Sequence, residues 1–173
     1  VNTKTGFFTK YSTTLLISSH YVKAKNTLGL DIVIEYYVHS KLMNVIELSY
    51  LLGAVGMECL KSYLSGYFQA KNKSADLGSF AKALQALFED ILMPYQQSKL
   101  DFISIRDKIV HTGRFPPNVN PVEDYRKLIN LYERVILTIL GYRGKPYLNT
   151  TKRYQRSMST AYTLRLGTSR EIY

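Results

Sequence analysis

Arg106 and His111 stand five residues apart in the run Ile103-Ser-Ile-Arg-Asp-Lys-Ile-Val-His111-Thr-Gly. Together they supply a fixed positive charge and a group that titrates near neutrality, the two parts needed to bind an anion and move a proton. Asp107 lies four residues before His111, so on a helix the two share a face. There the carboxylate can bond one imidazole nitrogen, fix the tautomer and raise the basicity of the other.

The run reads as a helix over residues 98–112, stopped by Gly113 and the prolines of Gly113 to Pro121. With Ile105 at the origin and about 100° per residue, Phe102 and Ile109 fall at about 60° and 40°. Val110 and Ile103 follow at about 140° and 160°, and Arg106 at about 100° sits inside this apolar arc. A guanidinium cannot be deprotonated, so its position requires a carboxylate partner, a wet cleft or a bound anion. Glu58, inside a largely apolar helix, can be that partner, as a structural salt bridge or as a restraint on an active site. Arg106 and His111 themselves lie about 140° apart and do not converge on one small ligand from a straight helix. Two copies related by a two-fold axis can bring them into one cleft, which makes a homodimer part of the expectation.

The elements that must hold this helix follow from periodicity. Asp31 can cap a helix carrying Ile34, Tyr37 and Val38. A long helix from about Asn44 to Phe68 repeats Ile46, Tyr50, Ala54, Met57, Leu60 and Leu64 at intervals of three and four. Gly53 and Gly56 inside it cost helix propensity unless a neighbouring helix packs closely there. Ser79 or Asp76 can start the next helix, with Phe80, Leu84, Leu87, Phe88 and Ile91 as its stripe and Met93 before Pro94 as its end. Glu123 to Leu140 reads as a further helix with Tyr125, Leu128, Leu131, Val135 and Ile139 inward, ended by a left-handed cap at Gly141. Residues 6–22, rich in aromatic and β-branched types, read instead as a strand, fit to end an upstream domain. The expectation is an all-α, up-and-down bundle of four to five helices over residues 28–148. A short β or irregular segment (1–27) precedes it and a basic tail (149–173) follows.

Composition narrows the classes. The chain has 173 residues, enough for a single core, and its one cysteine, Cys59, excludes an internal disulfide and a cysteine-based zinc site. No metal-ligand cluster and no nucleotide-binding loop is visible, so no cofactor is expected. The apolar stretch from Leu42 to Leu60 is broken by Asn44, Glu47 and Glu58, which makes it a poor membrane span and a good buried helix. No secretory h-region appears, and the start at Val1 rather than Met fits a piece of something longer. Residues 1–27 and 142–173 contribute +4 and +6, the whole of the net charge of +10, so the middle is neutral. Basic ends attract polyanions by long-range electrostatics and counterion release, although they also serve simple solubility. Most of the fifteen tyrosines lie at helical spacing and read as packing, with Tyr147, Tyr154 and Tyr162 of the tail as candidates for stacking on bases. His20 and His39 have no partner nearby in sequence and read as structural or exposed.

The run RDKIVH fits the pattern of HEPN domains: an arginine, a polar residue, three more residues and a histidine. The segment from Ile103 to Gly113, and that from Tyr125 to Leu140 followed by Gly-Tyr-Arg-Gly, resemble ApeA-like HEPN domains of bacterial antiphage proteins. Met57-Glu58-Cys59-Leu60 is similar to that family's second helix. The likeness covers roughly residues 28–148, and it departs at Asp107, where relatives often carry asparagine. What the resemblance implies is metal-independent cleavage of RNA in a dimeric cleft. His111 would transfer the proton, Arg106 would stabilise the phosphoryl charge and Asp107 would orient His111. Lys108 and Arg114 would touch the RNA backbone, and an upstream part would sense the trigger. Against this stands a helical module that binds RNA or an acidic protein without cutting.

Overall fold

In a computed structural model, described for residues 5–93 and 100–142 with side chains from residue 17, the chain forms six α-helices. These are α1 (Thr5–Leu28), α2 (Leu30–Leu42), α3 (Ile46–Ala70), α4 (Phe80–Asp90), α5 (Phe102–Thr112) and α6 (Pro121–Ile139). The described residues contain no strand, and the architecture is an all-α bundle.

α3 is its axis and touches all five other helices. The repeat read from the sequence is the reason: Ile46, Tyr50, Ala54, Met57, Leu60 and Leu64 are all buried, each worth roughly 1–3 kcal/mol of burial. Gly53 and Gly56 receive α6. A Cβ on Gly53 would stand 3.2 Å from Leu128, and one on Gly56 would lie 2.0 Å from the Tyr132 hydroxyl. Room for that ring lets Tyr132 Oη donate to the Val33 carbonyl of α2 at 2.6 Å, so three helices lock at one point. Along α6, Tyr125, Leu128, Leu131, Val135 and Ile139 face inward as their spacing predicts, and the Tyr125 hydroxyl donates to the Ser40 carbonyl. Asn120 caps α6, accepting from Glu123 N at 3.1 Å.

Four expectations are corrected. Residues 6–22 are helical, within α1, and Tyr21, Ala24 and Leu28 pack inward at intervals of three and four. β-propensity is a weak prior that packing against a bundle overrides. The helix count therefore rises to six, and position 27 falls inside α1. In α2 the N-cap position belongs to Gly29, while Asp31 sits in the first turn, 3.5 Å from Lys25. Leu30 and Val33 are fully buried, Ile34 and Tyr37 pack partly against the core as read, and Val38 is exposed. The Leu42–Leu60 stretch is split by a turn before Ile46, and no helix among the described residues is long and apolar enough to cross a membrane. Finally, α4 ends at Asp90 rather than Met93, because Leu92 turns left-handed and Met93 N closes on the Phe88 carbonyl at 2.8 Å. Pro94, residues 98–99, Tyr147, Tyr154, Tyr162 and the basic tail lie outside the described residues.

Candidate active site

α5 is short, and its ends define what it can present. It starts at Phe102, and Ser104 Oγ donates to the Asp101 carbonyl at 2.9 Å. It stops one residue after His111, where Gly113 adopts φ 70° and its N–H bonds the Ile109 carbonyl at 2.8 Å. That left-handed turn is open to glycine at little cost. Phe102, Ile105 and Ile109 are buried and pin the helix to the bundle, while Val110 of the predicted arc is exposed. Beyond the turn, Phe115 packs edge-on against Tyr50 of α3 with ring centroids 5.0 Å apart, which anchors the loop.

Arg106 lies where the wheel places it, at the margin of the apolar face, with 19% of its side chain exposed. Glu58 of α3 meets it, Oε2 standing 2.5 Å from Nη1. The guanidinium also rests over the Phe80 ring of α4, 5.9 Å from its centroid, and Phe80 is held edge-on by Phe102. Asp107 Oδ1 is 3.0 Å from Arg106 Nε. It lies off the N–H direction, so Nε is buried without a hydrogen bond. The arginine is thus gripped on one edge, compensated in charge and incompletely satisfied.

His111 is placed differently. It is exposed in the last turn of α5 and makes no hydrogen bond or ion pair among the described residues. Asp107 shares its side of the helix but is joined to Arg106 instead, so the expected carboxylate–imidazole bond is not formed. Lys108 and Arg114 are exposed on either side of His111. The Thr112 hydroxyl ties their backbones together, 2.8 Å from the Lys108 carbonyl and within reach of Arg114 N and O.

Sequence reasoning paired Arg106 with Glu58, as the structure shows, but missed Phe80 as the surface beneath the guanidinium. Its apolar register in α4 marked it only as core, and no local signal pointed to a cation. His39 is exposed, 3.7 Å from Glu35. His20 packs over Gly141, whose Cβ, if present, would stand 3.2 Å from the imidazole. Among the described residues no group of three or more His, Cys, Asp or Glu side chains is placed to hold a metal ion. Comparison of the chain with models of protein families, with curated proteins and with solved structures found no match.

Proposed function

We propose that this chain is a HEPN-type, metal-independent endoribonuclease, acting in the cytoplasm as an effector of antiphage defence or toxin-type growth arrest. The observation that carries the reading is the contrast along α5. A guanidinium is held in place by Glu58 with donor capacity to spare, and an accessible imidazole stands one turn and a half further on. In the reaction the RNA 2′-hydroxyl attacks the adjacent phosphorus and the bond to the 5′-oxygen breaks. The products are a 2′,3′-cyclic phosphate and a 5′-hydroxyl. His111 carries the proton, and Arg106 neutralises the charge that grows on the phosphoryl oxygens. Lys108 and Arg114 bind neighbouring phosphates. The two residues diverge around the helix, which supports a homodimer whose α5 helices face each other across one cleft. The exposed Val110 beside His111 offers apolar area for that contact. An upstream sensor segment in the full-length protein completes the proposal.

A second reading has its own observation. Asp107 neutralises Arg106 rather than orienting His111, as in a helical module that binds RNA or an acidic protein without cutting. Total RNA incubated in EDTA with wild-type and His111→Ala protein, over a protein concentration series, decides between them. Cleavage that resists EDTA, disappears in the variant and rises more steeply than first order with protein supports the composite-site nuclease. Tight RNA binding by a confirmed dimer without cleavage selects the binding module. Equal cleavage by both proteins removes His111 from the mechanism.

A further inference from the structure

At the far end of α3, away from Arg106, four helices enclose a cleft of about 660 Å³. Lys71 in its wall stands thirteen residues beyond Glu58, about 20 Å along the helix axis. The floor is apolar, made by Ala24 and Leu28 of α1, Leu137 and Ile139 of α6, and Met93. Around it stand Lys23 and His20 of α1, Lys71 after α3 and Arg134 of α6. One carboxylate, Asp90, joins the lining. It is already engaged by Lys71 and Lys73, each at 2.5 Å, and by the Tyr67 hydroxyl at 2.6 Å. The lining therefore carries three permanent cations and an imidazole against one carboxylate, which is paired with Lys71 and, outside the lining, Lys73.

Helix dipoles account for only part of this charge. The ends of α3, α4 and α6 meet here, and cations near helix C-termini are favourable, but the effect fades within the last turn. Lys71 sits at such an end, whereas Lys23 and Arg134 each lie five residues inside their own helices. The carbonyls at the end of α6 are also met by the chain itself, with Tyr142 N on the Leu137 carbonyl at 2.8 Å. The rim carries unusual apolar exposure. Leu92 is 84% exposed with φ 55°, a backbone region that a leucine occupies at a cost, and Tyr142, also in the lining, is exposed.

We infer that this cleft binds a small organic phosphate, its anion held by Lys23 and Arg134 and its apolar or aromatic body on the floor beneath Leu92 and Tyr142. Its volume suits a single nucleotide, within the range of roughly 300–1,000 Å³ for such sites. The inference is independent of the nuclease reading, because its test is a binding measurement made without RNA.

The test is calorimetric titration of the full chain with ADP and, separately, with inorganic pyrophosphate at low salt. ADP is expected to bind at least tenfold more tightly than pyrophosphate, since only ADP has a body for the floor. Arg134→Gln is expected to weaken ADP at least tenfold, and Lys23→Gln, at an exposed position that leaves folding intact, several-fold. His111→Ala should leave both affinities unchanged. No binding of either probe by folded wild-type protein overturns the inference. Equal affinity for the two probes overturns the role of the apolar floor. Binding indifferent to both Lys23→Gln and Arg134→Gln places the anion elsewhere and overturns the site.

Discussion

Two charge clusters hang on α3, one around Asp90 and one around Arg106, and they are built on opposite terms. The Asp90 carboxylate is 4% exposed and receives two ammonium groups and a phenol, so both its oxygens are engaged. Burial alone would raise its pKa. The hydrogen bonds from Lys71, Lys73 and Tyr67 outweigh burial and hold the carboxyl well below its ordinary value. Arg106 has one hydrogen-bonded carboxylate, a second that is misaligned, and a buried Nε that bonds nothing. Buried polar groups are normally satisfied, so a saturated cluster is best explained by stability and an unsaturated one by a ligand. On the proposed reading, Asp90 serves the fold and Arg106 the chemistry.

The contrast can be broken experimentally, and the largest effect is expected at Arg106. Arg106→Ala should lower single-turnover RNA cleavage by about 100-fold or more, the usual loss for one donor to a developing oxyanion. Arg106→Lys should restore little, because an ammonium lacks the planar fork. Both variants should unfold within about 1 kcal/mol of wild type in urea, since Glu58 is 40% exposed and returns to water. If Arg106→Ala destabilises strongly while cleavage persists, the assignment of the two clusters is reversed.

Asp90→Asn should do the opposite. It leaves two lysines beside a neutral amide in a nearly closed site and should cost about 2 kcal/mol, with cleavage unchanged. The same carboxylate predicts a pH dependence. Its folded pKa lies below the unfolded value of about 3.9, so its contribution is complete above that value and fades as pH falls through the folded pKa. Urea midpoints measured from pH 6 to pH 2 should show that loss in wild type and lack it in Asp90→Asn. The smallest effect is expected at Asp107, whose carboxylate does not reach His111. Asp107→Asn should change the cleavage rate by less than about threefold, and a loss as deep as that of His111→Ala would show that the carboxylate does orient the imidazole.

Legibility followed the same division. α3 and α6 could be read because their apolar residues keep strict helical spacing, and Gly53 and Gly56 announced the close approach of α6. Arg106 and Glu58 could be paired on paper because each was a charge inside an apolar stripe. α1 was misread because aromatic and β-branched residues favour strands only where tertiary packing does not decide otherwise. In α2, Ile34 packs partly inward as read, but Leu30 and Val33 are as apolar as Val38, so composition could not say which of these turn inward. The Asp107–His111 bond failed for a related reason. Helical spacing permits i,i+4 pairs, yet a fixed cation one residue away is the stronger competitor. The cleft at the far end of α3 was invisible, since its cations come from three separate segments.

The Gly56 notch also sets an order of assembly. α2 and α3 are neighbours in sequence and can form a hairpin early, whereas the Tyr132–Val33 bond closes a separation of 99 residues. Contacts so distant pay the largest loop-closure entropy and are made late. On the ribosome the notch therefore stays empty until α6 has emerged, about twenty residues after α5 is complete. A nascent chain would carry Arg106 and His111 on a helix whose scaffold is not yet locked, which on the proposed nuclease reading would delay activity until α6 docks.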